Sequence, residues 1–208
     1  MDGREIGHDG ALDLDDLAAC APWPAERARA AGGRCRSALV EGWRDLVPAA
    51  VAAAVTADLA ADGLPLGADA GSWLPLAGWL RLHDHLAARL CDGDRPAFGR
   101  LWLAEVGVRV PWLGRAGLRA LGLRGAVRYL PAVWSAGFDL PAPAVTVADD
   151  AVHAVWRGHP AFAVPTFRWL VALQGALLAP ACGGWRAAGL RAGTQADRFE
   201  ITWFSREP

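Results

Sequence analysis

The sequence predicts an α+β fold, with an N-terminal helical subdomain followed by a β-β-α-β-β unit that forms an antiparallel sheet. Two observations predict it. Apolar residues recur at helical spacing through residues 34–138, whereas two segments within residues 139–208 alternate apolar and polar residues. Strands that gather at one end of a chain, with a helix between their hairpins, are typical of α+β proteins. We expect 34–138 and 139–208 to pack together as one domain, preceded by an extension over 1–33.

The composition is that of an ordinary globular protein. The 208 residues are 53% hydrophobic and 21% charged, with a formal net charge of −1 at pH 7. This balance predicts no nucleic-acid partner. The most apolar run, residues 46–63, is mostly alanine and contains two aspartates, so no membrane span is predicted. The acidic start without an apolar signal region predicts a cytoplasmic protein, with reduced cysteines at Cys20, Cys35, Cys91 and Cys182.

The first third of the chain predicts helices joined by Pro- and Gly-rich connections. A short helix is predicted within residues 12–21, and residues 22–33 are interpreted as a connection. From Arg34 a helix is predicted because apolar residues follow at i, i+4, i+8 and i+11, namely Cys35, Leu39, Trp43 and Leu46. Pro48 then opens a helix that runs to about Asp62 and ends at Gly63.

Further helices follow up to residue 138. Ser72 is a predicted N-cap for a helix that contains WLRLHDHLAARL (79–90), and the sequence CDGD (91–94) ends it. Asp94 is placed to cap the next helix, whose apolar face is Phe98, Leu101, Trp102 and Val106. Two more helical segments cover 110–122 and 124–138, and Pro131 predicts a kink or break in the second.

The last third predicts two hairpins with a helix between them. Residues 141–160 alternate on either side of Asp149-Asp150, which predicts a hairpin turning there. Residues 166–184 predict a helix ended by glycines. Residues 185–205 predict a second hairpin that turns at 193–197.

The His83-Asp84-His85 triplet is the most conspicuous candidate for chemistry. Helical residues at i and i+2 point roughly 200° apart, so the two histidines cannot share one metal ion. We therefore interpret the triplet as a solvated helix side, with His83 at the edge of the core and Asp84 and His85 facing outward. The buried stripe of this helix is predicted to be Trp79, Leu82, Leu86 and Leu90.

No catalytic or metal site is predicted. No serine lies in a G-x-S-x-G elbow, no G-x-G-x-x-G motif is present, and the chain contains no lysine for a Walker motif. Arg115, Arg119, Arg124 and Arg128 are interpreted as a solvated face, with docking of an acidic partner protein as the alternative.

Several phrases resemble the haem-NO-binding (H-NOX) superfamily. They are SWLPLAGWLRLHDHLAARLCDGDRPAFGRLWLAEVG (72–107), LRGAVRYLPAVWSAGF (123–138), AVTVADDAVHAVWRGHP (144–160) and DRFEITW (197–203). The resemblance covers roughly residues 34–205. It is closer to two haem-free relatives, the vinyl-reductase-type small-molecule-binding domain and an uncharacterised myxobacterial family.

The resemblance also implies which residues to inspect. Haem-binding members hold iron with a histidine on the helix before the first hairpin, where this chain has Trp134, and indole cannot ligate iron. Their Y-x-S-x-R motif corresponds to residues 155–159, which keep none of its three residues. We therefore expect no cofactor. In the resembled fold, helical tryptophans surround a cavity between the subdomains, and the resemblance implies a pocket lined by Trp79, Trp102, Trp134 and Trp169.

The resemblance implies a non-catalytic module that senses a small molecule or regulates a partner protein. The expected ligand is apolar and lies between the helical and β subdomains. A structural or scaffolding protein whose tryptophans simply fill the core is the alternative. A haem- or metal-binding protein or an enzyme that works through His83, His153 or His159 is a third class.

Overall fold

The computed structural model describes residues 24–66, 71–109, 112–182, 188–195 and 198–205. It confirms the α+β class and the order of helices before a β-β-α-β-β unit. The helices are α1 (Ala25–Ala30), α2 (Ala49–Ala61), α3 (Leu76–Cys91), α4 (Arg95–Arg109), α5 (Trp112–Arg128), α6 (Leu130–Gly137) and α7 (Pro165–Cys182). The strands are β1 (Arg34–Arg36), β2 (Trp73–Pro75), β3 (Ala144–Val147), β4 (Ala151–Arg157), β5 (Ala188–Gln195) and β6 (Arg198–Ser205).

The β subdomain is a four-stranded antiparallel sheet in the order β3-β4-β6-β5. Period-two alternation places one side of β4 and β6 inside the protein, as Val152, Ala154 and Trp156 are buried on β4. Helix α7 packs on the same sheet, and the Trp203 Nε1–H group on β6 donates to the Gly175 carbonyl of α7 at 3.0 Å. The sheet and α7 therefore enclose an aromatic-rich interior.

A two-stranded ribbon of β1 and β2 joins the start of the helical subdomain to its end. The Leu76 N–H donates to the Gly33 carbonyl at 3.0 Å, and the Asp139 N–H donates to the Arg34 carbonyl at 2.9 Å. Cys35 also forms an isolated bridge with Phe138, just after α6. These backbone bonds hold α6 at a defined position beside the N-terminal segment.

The predicted helix from Arg34 is wrong. Residues 34–36 form β1, and short 3₁₀ turns follow at Ser37–Leu39 and Trp43–Leu46. Gly42 has φ +73°, which a continuous helix does not permit. The apolar residues that suggested a helix lie in different environments. Cys35 is buried in the ribbon and Trp43 in a 3₁₀ turn, whereas Leu39 is exposed.

The other helices largely confirm the predictions, although Leu101, predicted on the apolar face of α4, is exposed. Helix α2 follows Pro48 and ends before Gly63, which has φ +67°. Asp94 caps α4, since its Oδ1 accepts from the Ala97 N–H at 3.0 Å. Helix α3 begins at Leu76, after β2, rather than at Ser72. The residues interpreted as a connection include α1, and the helix predicted at 12–21 lies outside the described residues.

The proline and the first hairpin lie where the sequence predicts them. Pro131 lies in the first turn of α6, which is separated from α5 at Tyr129. The Asp149-Asp150 turn joins β3 to β4. In the second hairpin, residues 193–195 belong to β5 rather than to the turn, because Gln195 pairs with Arg198. No helix within the described ranges combines the length and apolarity needed to cross a bilayer.

Candidate ligand cavity

A cavity of about 180 Å³ lies where α6, α7 and the inner face of the sheet meet. Helix α6 contributes two wall residues, helix α7 contributes four, and strands β4 and β6 contribute the rest. They are Leu130, Trp134, Trp156, Val171, Gln174, Gly175, Leu178, Ile201 and Trp203. The cavity therefore touches both the helical subdomain and the β-β-α-β-β unit.

Three tryptophans give the cavity its aromatic walls. Trp134 stacks on Phe138 with ring centroids 4.4 Å apart, and its ring lies 5.5 Å from that of Trp156. The Trp203 N–H group is occupied by the Gly175 carbonyl. The Nε1 atoms of Trp134 and Trp156 are buried without a hydrogen-bond partner in the described structure. These two indoles are held by ring packing alone.

The cavity is apolar, with one polar side chain on its wall. Among the described wall residues Gln174 is the one with a polar group at the end of a flexible chain, and it is exposed on α7. None of these wall residues is charged. Because an ion buried without a counter-charge loses its hydration uncompensated, such a wall favours neutral occupants.

The four tryptophans of the predicted pocket do not come together here. Trp134 lines the cavity, whereas Trp79 and Trp169 are fully buried in the core elsewhere. Trp79 packs against Phe138 and Phe167, and Trp169 against Phe98. Trp102 is half-buried against His83 and Phe98.

Two cavity tryptophans, Trp156 and Trp203, were not among the predicted pocket residues. Their period-two alternation predicts that they pack under α7, and both do lie on the buried side of the sheet. A buried strand residue can either fill the core or line a cavity. Which of the two it does depends on how closely α6 and α7 pack over the sheet at that position. The sequence carried no signal for that difference.

The triplet on α3 is more buried than predicted. His83 lies within the aromatic core, and its Nδ1 is 2.7 Å from the Trp79 carbonyl, so Nδ1 carries the proton and donates. Its ring contacts Trp79 and Trp102, each with centroids 5.1 Å away. Burial lowers the pKa of His83 to about 4, since the hydrogen bond does not offset the lost hydration.

Asp84 does not face outward; that prediction is wrong. Its side chain is 4% exposed and forms an ion pair with Arg95, whose side chain is 5% exposed. The Thr166 hydroxyl donates to Asp84 Oδ1 at 3.3 Å and accepts from Arg95 at 3.0 Å. Burial raises the pKa of the Asp84 carboxyl, and the Arg95 and Arg81 guanidiniums oppose that rise. The network links α3, α4 and α7.

His85 also has a specific partner rather than free solvent. Its Nε2 donates to Asp62 Oδ2 at 2.8 Å, and the Arg81 Nε donates to the same oxygen at 2.8 Å. Burial alone would raise the pKa of the Asp62 carboxyl, but the hydrogen bonds from Arg81 and His85 hold it below its ordinary value. The imidazoles of His83 and His85 thus point to different partners, as their spacing predicts.

The residues around the cavity do not fit a haem group. Trp134 offers an N–H donor and no lone pair to iron. His153 points to the opposite face of the sheet, since its neighbours Val152 and Ala154 point inward, and its Nδ1 lies 2.9 Å from Thr202 Oγ1. The His159 Nδ1 accepts from the Ala161 N–H at 3.1 Å. Within the described ranges, no three His, Cys, Asp or Glu residues lie close enough to hold a metal ion.

The remaining candidate groups are the cysteines and the arginines of the predicted solvated face. Cys35 and Cys182 are buried thiols and Cys91 is a half-buried one, whereas Cys20 lies outside the described residues. Burial raises the pKa of Cys35 to about 12, so this thiol is unreactive at neutral pH. Arg119, Arg124 and Arg128 are exposed, and the side chain of Arg115 is outside the described part.

Comparison with known proteins identifies no match for this chain. A scan against protein-family models, a search of curated proteins and a search of solved structures each return no match.

Proposed function

We propose that this protein is a non-catalytic ligand-sensing module, a haem-free relative of the H-NOX superfamily, that binds an apolar small molecule in the cavity between α6, α7 and the sheet. The observation that carries the proposal is the cavity itself, with its uncharged walls drawn from both subdomains. Small-molecule sites are typically concave and largely apolar, with few polar groups.

The volume sets the size of the ligand. Pockets for drug-sized ligands begin at roughly 300 Å³, whereas apolar cavities of about 150 Å³ bind benzene. A cavity of about 180 Å³ therefore suits one or two rings and is too small for a haem macrocycle. This size supports the haem-free interpretation.

Helix α6 provides a route from the cavity to the surface. Leu130 and Trp134 line the cavity, whereas Tyr129 and Val133 beside them are 58% and 67% exposed. A ligand that binds one position of α6 more tightly than another shifts the population of those positions. The surface that α6 presents to a partner protein would then change.

A scaffolding protein is the second candidate. It is favoured by the volume of the cavity, since about 180 Å³ is below the roughly 300 Å³ at which ordinary ligand pockets begin. The complete packing of Trp79 and Trp169 in the aromatic core favours it as well. In that case the cavity is a packing defect with no occupant, and filling it would have no consequence beyond stability.

Mass spectrometry of molecules extracted from the folded, purified protein tests the proposal. We expect a stoichiometric small apolar molecule from the wild type and its loss from Leu178→Trp, in which a larger side chain occupies the cavity. Leu90→Trp, at a half-buried position on α3 away from the cavity, is the matched control and should keep the molecule. A folded wild type that carries no molecule and binds none when offered would contradict the proposal and favour the scaffold.

A further inference from the structure

We infer that the cavity selects a neutral aromatic-ring compound that carries a single hydrogen-bonding group. This inference rests on the proposed function and specifies the chemical class of the ligand. Three properties of the wall carry it: its lack of charge, its tryptophan surfaces, and the position of one amide.

The lack of charge disfavours ionic ligands. The described wall residues offer no counter-charge to a carboxylate or an ammonium group. The buried ion pair of Asp84 with Arg95 satisfies its own charges together with Thr166 and does not line the cavity. A charged ligand would lose its hydration there with nothing in return.

The tryptophan surfaces favour a ring over a flexible chain. Trp134, Trp156 and Trp203 present indole surfaces, and Val171 and Ile201 add branched aliphatic groups. Aromatic pairs gain about 0.5–1.5 kcal/mol beyond the area that they bury. A rigid ring also loses fewer torsional freedoms on binding than an acyl chain of the same size.

Gln174 is the group available to anchor a polar substituent. The Trp203 N–H group is already bonded to the Gly175 carbonyl, and the Trp134 and Trp156 N–H groups are fully buried, whereas Gln174 is exposed. Gln174 lies at the exposed side of the cavity and offers both a donor and an acceptor. A ligand with one hydroxyl or carbonyl group would place its ring inside and that group beside Gln174.

Isothermal titration calorimetry with four matched probes tests this selectivity: toluene, benzyl alcohol, benzoate and benzylammonium. We expect benzyl alcohol to bind best and toluene about fivefold more weakly because it lacks one hydrogen bond. Each ion should bind more weakly than benzyl alcohol, because its charged group beside Gln174 gives up part of its hydration and meets no counter-charge. In Gln174→Leu, benzyl alcohol should fall to the affinity of toluene while toluene is unchanged.

Two further variants separate the possible failures. Leu178→Trp should abolish binding of all four probes, and Leu90→Trp should bind them like the wild type. Tighter binding of benzoate or benzylammonium, or an unchanged benzyl alcohol preference in Gln174→Leu, would overturn the inference and leave the proposed function standing. If none of the probes binds, the inference is overturned, and if extraction also yields no molecule the proposed function fails with it.

Discussion

At the residue scale, three adjacent residues of α3 have three different environments. His83 is buried among aromatic rings, Asp84 pairs with Arg95, and His85 binds Asp62. The divergence of the two histidines followed from helical geometry. The burial of Asp84 could not be predicted, because its partners Arg95 and Thr166 come from other helices and a carboxylate in isolation belongs at the surface.

The Asp84–Arg95 pair should be essential to stability. We expect Asp84→Asn to lower the free energy of unfolding by about 3–5 kcal/mol, because it leaves the Arg95 guanidinium buried without its counter-charge. Urea unfolding followed by circular dichroism measures it. Asp139→Asn, which breaks the exposed pair with Arg34, should cost no more than about 1 kcal/mol. Equal losses of unfolding free energy in the two variants would contradict a larger contribution of the buried pair to stability.

His83 should make stability depend on pH. Its folded pKa of about 4 lies below the ordinary value of 6.5, so the unfolded chain binds more protons between those values. The contribution is complete above pH 6.5 and is lost as the pH falls towards 4, by about 3 kcal/mol in total. Urea unfolding at pH 7 and pH 5 should show a smaller difference for His83→Phe than for the wild type.

The matched control for this measurement is His153→Phe on the outer face of the sheet. It should keep the wild-type difference between the two pH values. A wild-type difference that survives in His83→Phe would show that another group is responsible.

At the element scale, the strands of the four-stranded sheet and most helices were predictable from periodicity and capping. Asp94, Pro48 and Pro131 each affect the backbone within one helical turn of their own position. The helix boundaries that they set can therefore be predicted from the local sequence. The segment from Arg34 failed because β1 is stabilised by β2, almost forty residues later. A pairing at that distance overrides an apolar spacing that fits a helix equally well.

The turn before β1 offers an element-scale prediction. Gly33 has φ +86°, and a Cβ there would lie 2.6 Å from Leu140 Cδ2, whereas Gly32 has φ +71° and open space around it. Both alanine variants incur backbone strain. Gly33→Ala should lose about 1 kcal/mol more than Gly32→Ala, because the Leu140 side chain must turn away to make room for the new Cβ. Equal thermal unfolding midpoints for the two variants would contradict this reading of the turn.

At the scale of the whole molecule, the sequence predicted the order of subdomains but not where a cavity lies. Trp134 was predicted and lines it. Trp79 and Trp169 instead fill the core, where their rings pack against Phe138, Phe167 and Phe98. Where a gap remains depends on the relative placement of α6, α7 and the sheet. That placement is a property of the packed molecule and not of any one segment.

The central claim, that this cavity binds a small neutral molecule, has a direct test in the isoleucines. The chain has two, Ile6 and Ile201, and Ile201 lies on the cavity wall. In protein labelled with ¹³C at the isoleucine δ1-methyl groups, we predict that benzyl alcohol shifts the Ile201 signal saturably. The shift should persist in Leu90→Trp and vanish in Leu178→Trp. An Ile201 signal that does not move, or that moves without saturation and equally in Leu178→Trp, would contradict the claim.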